Sequence, residues 1–258
     1  MNKFLKLVGI AAAAAALNAH AGTVTVDDFM VAQDPIRDTT TGGGGVSSVI
    51  TGSVSDILGG DRALYVEMTG KAAFAQPTAG VSAGVSGGFY SFSTDSGINA
   101  YGAIRWDGTN SSTFNFSGGR DTAINATGLG GVNLVSTAVG FQLNVLDAGG
   151  GTNGFPFQIF AYTDANDYSV LTLQSSGTGV FFIPFSLFAG SPFTTVVGSG
   201  ANFADLGALE AVVNVGGLVA DVDLTLGVVQ AVPEPGSLAL VGVALLAGVG
   251  VARRRKSV

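Results

Sequence analysis

Between Gly22 and Val232 short apolar runs alternate with glycine-rich breaks, and the spacing inside the runs predicts strands. In Val222-Asp223-Leu224-Thr225-Leu226-Gly227-Val228 every second residue is apolar. An extended chain there turns Val222, Leu224, Leu226 and Val228 to one face and Asp223 and Thr225 to the other, because strand side chains alternate. The same period runs through Phe141 to Val145 and Leu64 to Met68, and through Phe157 to Tyr162 with both faces partly apolar. Further strands are expected at Thr23 to Val26, Gly88 to Ser93, Tyr101 to Trp106, Tyr168 to Leu173, Val180 to Pro184 and Leu209 to Val215. That makes about ten, separated by turn-forming glycines, as an antiparallel sandwich requires. No helical period appears in this stretch, and no linker divides it. The expected fold is all-β: a single antiparallel β-sandwich over residues 22–231.

The two ends follow other rules. Residues 1–21 place Lys3 and Lys6 before an apolar run from Leu7 to Leu17, then Ala19-His20-Ala21. This is the order of a secretory signal peptide, helical in its apolar part, with cleavage expected after Ala21 because Ala19 and Ala21 are the small residues a signal peptidase accepts. The only histidine, His20, would leave with it.

Residues 232–258 open on Val232-Pro233-Glu234-Pro235, continue through the uncharged stretch 237–252, and close on Arg253-Arg254-Arg255-Lys256. A helix over that stretch would be about 24 Å long, a short transmembrane span, and the basic cluster would stop it on the cytoplasmic side. The two prolines hold the backbone around Glu234 extended and readable by a processing enzyme.

This order of motif, apolar helix and arginine cluster resembles the PEP-CTERM sorting signal of Gram-negative bacteria. The resemblance implies an exosortase-type processing enzyme as partner, transient anchoring in the inner membrane, and delivery to the cell surface or an exopolysaccharide matrix, in biofilm or floc. A permanent single-span anchor is the alternative, and it too leaves the domain outside the cytoplasm.

A second resemblance concerns the middle. Thr25-Val26-Asp27-Asp28-Phe29, Phe181-Phe182-Ile183-Pro184-Phe185-Ser186, Ala204-Asp205-Leu206-Gly207-Ala208-Leu209 and Asp221-Val222-Asp223-Leu224 are similar to stretches of the galactose-binding jelly rolls of carbohydrate-binding modules. That likeness implies a jelly-roll sandwich whose first and last strands pair, a structural calcium held by Asp27, Asp28 and Asp223, and a glycan as ligand.

Composition narrows the chemistry. Between Gly22 and Val232 five basic residues stand against seventeen acidic ones, so nucleic acid, which needs a basic face, is not an expected partner. Cysteine is absent, and with His20 gone neither Ser-His-Asp nor Cys-His catalysis nor a histidine zinc site can be built. The acid excess suits a hard cation such as calcium.

Trp106 directly precedes the turn signal Asp107-Gly108 and is the candidate for stacking on a sugar. These features favour a noncatalytic surface or matrix protein. A polysaccharide-active enzyme remains the rival, drawing a carboxylate pair from Glu67, Glu210 and the aspartates with the acids about 5–9.5 Å apart. A protein-binding adhesin is the third reading.

Overall fold

The computed structural model describes residues 22–175 and 177–233. The predicted signal peptide with Ala19 and Ala21, the motif residues Glu234 and Pro235, the apolar stretch 237–252 and Arg253, Arg254, Arg255 and Lys256 lie outside the described residues.

The described residues form sixteen strands. The first eight are β1 (Val24–Asp27), β2 (Gln33–Asp38), β3 (Val46–Thr51), β4 (Asp61–Lys71), β5 (Val81–Ser86), β6 (Phe89–Thr94), β7 (Ile98–Trp106) and β8 (Phe116–Ser117). The second eight are β9 (Arg120–Asp121), β10 (Gly140–Gly149), β11 (Phe155–Tyr162), β12 (Tyr168–Ser175), β13 (Gly179–Pro184), β14 (Thr194–Val197), β15 (Ala208–Val213) and β16 (Asp223–Val232). Three 3-10 turns, Leu58–Gly60, Phe185–Ala189 and Val215–Gly217, are the helical elements among them. Among the described residues no helix is long and apolar enough to cross a membrane.

Two seven-stranded antiparallel sheets carry the fold. In the first the order is β13-β10-β16-β6-β5-β2, and β1 adds to β16 beyond the end of β6. In the second it is β14-β12-β11-β15-β7-β4-β3. The first and last strands therefore pair, with Val24 opposite Ala231 and Thr25 opposite Gln230. Leu143, Leu224 and Leu226 from the first sheet and Phe157, Ile159, Leu209 and Ala211 from the second belong to one apolar core, which is how a two-layered sheet fold hides one face of each layer.

All ten predicted strands are present. The predicted face of the last one needs a correction. Leu224 and Leu226 point inward as expected, but Val229 and Ala231 occupy the core beyond Gly227, while Val228 is only half-buried. The cause is a bulge: Leu143 of β10 faces Val229 while Val145 faces Leu226, so one residue of β10 lies opposite two of β16 and the inward parity changes. A second bulge in β1, between Thr25 and Asp27, brings Val26 and Asp27 into the interior together.

The outer face of the second sheet is also covered. The segment between β7 and β10, containing the β8–β9 hairpin, lies across it, and Phe114, Phe116 and Ile124 pack with Tyr65, Tyr101, Phe160, Tyr162 and Val212 into a second apolar cluster. Leu129 donates its backbone N–H to Gly207 O at 2.9 Å, and Gly207 donates to Tyr162 O at 2.7 Å, fastening the segment to β15 and β11.

Candidate functional site

Asp27 and Trp106 meet in the interior. The Trp106 indole N–H donates to Asp27 Oδ2 at 2.8 Å, and Trp106 is only 4% exposed, so it offers no face to a sugar. The sequence position at a strand end is right, but the ring turns inward because a buried acceptor for its N–H exists there.

Asp27 also accepts from Arg62 Nη1 at 2.9 and 3.0 Å and from the backbone N–H of Phe29 at 2.9 Å. Arg62 spends its other donors on Gln33 Oε1, at 2.9 Å, and on Val31 O. Both partners of this ion pair are wholly buried. Burial is the largest influence on the Asp27 carboxyl and raises its pKa, opposed by Arg62, Trp106 and the Phe29 N–H.

The calcium reading at Asp27, Asp28 and Asp223 is corrected by the same geometry. Asp27 faces Val229 in register, and Asp223 lies six residues earlier on β16, roughly 20 Å away along an extended strand. Asp28 accepts from the Met30 N–H and Asp223 from the Ser93 hydroxyl. Asp27 has a guanidinium where a cation would sit, and among the described residues no group of three His, Cys, Asp or Glu side chains could hold a metal ion. The Asp164 carboxylate accepts from the Asn166 and Asp167 N–H groups, which is turn chemistry.

What the structure does expose is a different aromatic group. On the outer face of the second sheet Glu67 sits between Tyr65 and Tyr101, and both phenol hydroxyls donate to its Oε2. Phe116 packs edge-on against Tyr101 at 5.2 Å and, tilted, against Tyr65 at 5.1 Å, with Phe114 behind it. Glu67, Phe114 and Phe116 are half-buried, so the carboxylate and two rings reach the surface together. Burial, with Glu67 beside them, pushes both tyrosine hydroxyls above the usual phenol range. The alternation Tyr65-Val66-Glu67 was legible in the sequence; that Tyr101 and Phe116 join it was not.

Beneath the same segment lies a charged interior. Arg105 donates through Nη1 to Asp121 Oδ2 at 2.6 Å and to Thr113 O at 2.9 Å, and its Nε lies 3.1 Å from Asp107 Oδ2. Its guanidinium stacks 4.3 Å above Phe114. Asp121 also accepts from the Asn115 and Ala123 N–H groups, so one carboxylate holds both arms of the loop.

Glu210 of β15 faces this cluster with neither oxygen hydrogen-bonded, and the buried Tyr162 hydroxyl is likewise unpartnered. Burial, with Asp121 and Asp107 nearby, raises the Glu210 pKa well above the ordinary carboxylate value against the pull of Arg105 and Arg120. Glu210 is 0% exposed, which puts it out of reach of a sugar chain while the segment is closed.

Two antiparallel sheets define an all-β protein. A family model described as the PEP-CTERM protein-sorting motif matches residues 231–256, beginning within β16. The chain thus carries that motif, which implies an exosortase-targeted protein of the cell surface or exterior. No curated protein matches the chain.

Proposed function

We propose that the chain is a noncatalytic surface or matrix protein, a jelly-roll-type sandwich associated with exopolysaccharide after processing of its C-terminal tail. The observation that carries the reading is the position of the motif. The match starts at Ala231, and β16 ends at Val232 in the middle of the first sheet, flanked by β10 and by the first strand, β1. Cutting beyond that point removes no described strand, so an intact domain is released. The signal peptide expected before Gly22 and the short membrane span expected over 237–252, with its arginine stop, would complete this route.

The noncatalytic reading is supported by the use made of the acids. Asp27, Asp107 and Asp121 pair with buried arginines, and Glu210 is enclosed. For the glycan, the Glu67 surface with Tyr65, Tyr101, Phe114 and Phe116 replaces Trp106 as the contact. A half-exposed ring covers apolar sugar C–H groups, and the free oxygen of Glu67 accepts from sugar hydroxyls.

The test has two arms. In cells that have an exosortase, Glu234→Ala should leave the full chain unprocessed and in the membrane fraction, and normal release of the variant would remove the sorting reading. Retention of the released chain on exopolysaccharide should drop about tenfold in Phe116→Ala and in Glu67→Gln. Undiminished retention in both would remove the Glu67 surface as the glycan contact.

A further inference from the structure

The core between the sheets is not filled at one side. Leu143, Leu224 and Leu226 of the first sheet and Phe157 and Leu173 of the second line a cavity of about 360 Å³, with Phe181 of β13 among its lining residues. Phe181 is 44% exposed and Gln174 of β12 is exposed too, so the cavity reaches the surface where β12 and β13, neighbours in sequence, belong to different sheets. Among the described residues its polar side chains are Gln174 and Ser175, and the Gln174 amide is already engaged with Asn153 O at 2.9 Å.

Water gains little in such a space, since it needs two to four polar partners. Left empty, the lining forfeits the dispersion contacts that a close-packed interior makes, at a cost that grows with volume. The volume falls within the range of small-molecule pockets.

Charge selects among apolar ligands. Residues 121–252 contain no lysine, arginine or histidine. The charged groups on the strands lining the cavity, β10, β11, β12, β13 and β16, are Asp147 and Asp223, both acidic. A carboxylate or phosphate head would find no cation on these strands to pair with. We infer that this cavity is a binding site for a neutral alkyl or acyl chain, such as that of a long-chain alcohol or an uncharged glycolipid, entering between β12 and β13.

The chain contains its own reporter. Trp106, the one tryptophan, lines a small neighbouring void together with Leu143, Phe157 and Leu226, all three of which also line the main cavity. A dodecanol carrying bromine at its far end should therefore quench Trp106 fluorescence saturably when added to the full chain, purified without detergent because detergent tails would compete. Dodecanoate at pH 8 should compete at least about tenfold more weakly than unlabelled dodecanol.

Val145→Phe, which adds a ring beside the cavity, should weaken the quenching by about tenfold or more, and Leu224→Phe serves in its place if the first variant loses its cooperative unfolding transition. Absence of saturable quenching overturns the inference, as does equal quenching in a folded cavity-filling variant. Dodecanoate binding as tightly as the alcohol overturns the choice of a neutral ligand.

Discussion

Trp106 and Asp27 are 79 residues apart in sequence, yet the indole N–H of one donates to the carboxylate of the other at 2.8 Å inside the core. The contact ties the end of β7 in the second sheet to the end of β1 in the first, so it joins the two layers as well as two distant parts of the chain. It also explains why an aromatic residue at a turn is structural here.

Trp106→Phe keeps most of the apolar bulk and deletes the donor. Stability should fall by roughly 1–3 kcal/mol, because a hydrogen bond to a charged, buried acceptor is lost. Urea unfolding measures this, and retention on exopolysaccharide should stay unchanged in the folded fraction.

Arg62→Met removes the cation and leaves Asp27 with the Trp106 and Phe29 donors alone. The expected loss is about 3–5 kcal/mol, as for other buried pairs deprived of one partner. Replacing both residues, Asp27→Leu with Arg62→Met, should cost less than Arg62→Met alone. A double variant less stable than the single one would refute the view that the uncompensated buried charge dominates.

Glu210 makes a pH prediction. Its carboxyl holds a proton to higher pH in the folded chain than in the unfolded one, where it titrates near the ordinary 4.5. The folded state therefore binds more protons between those two values, and stability falls as pH rises from the unfolded value through the folded one. Glu210→Gln abolishes that contribution. The variant should gain roughly 1–3 kcal/mol over the parent at pH 8 and little at pH 4, where both carry a neutral side chain. Melting curves across that range check it, and a pH-independent difference would contradict it.

Gly207 lies where the covering segment meets the sheet. A Cβ there would stand 2.0 Å from Ala126 O and 2.5 Å from Thr163 O, both backbone atoms. Gly207→Ala should therefore cost about 1–3 kcal/mol by pushing the segment off β15. The displacement should show as faster amide hydrogen exchange at Leu129, whose N–H bonds to Gly207 O, while exchange within β10 and β16 changes less.

Much of the sheet content was legible because a half-buried strand repeats every two residues, and the apolar runs in β4, in β10 and in β16 up to its bulge obey that period. The strands that escaped reading have weak patterns. β2 is Gln-Asp-Pro-Ile-Arg-Asp, β5 is rich in serine and glycine, and β14 is four residues long. Their partners supply the order, since β2 is held by β5 and β14 by β12. Edge strands such as β2 tolerate proline and charge because one side of the ladder stays unpaired.

The candidate site was less legible than the fold. Glu67 and its two tyrosines come from neighbouring strands whose register no local pattern encodes, and Phe116 arrives from a segment whose sequence reads as loop. Asp27 read as a cation ligand because of the likeness to jelly rolls that hold a structural calcium where their termini meet. A bulge at Val26 and the distant Arg62 turned it into one half of an ion pair.

By itself the sequence determined the sorting motif and the all-β class. Basic, apolar and small-residue order at one end, the Pro-Glu-Pro motif with its apolar stretch and arginines at the other, and the two-residue period between them are properties of contiguous residues. Only the tertiary structure decided which acids are paired, which aromatic rings face outward, and where the core remains unfilled. Those outcomes depend on strand register and on contacts between residues dozens of positions apart, and a shift of a single residue in register exchanges the inner and outer faces of a strand.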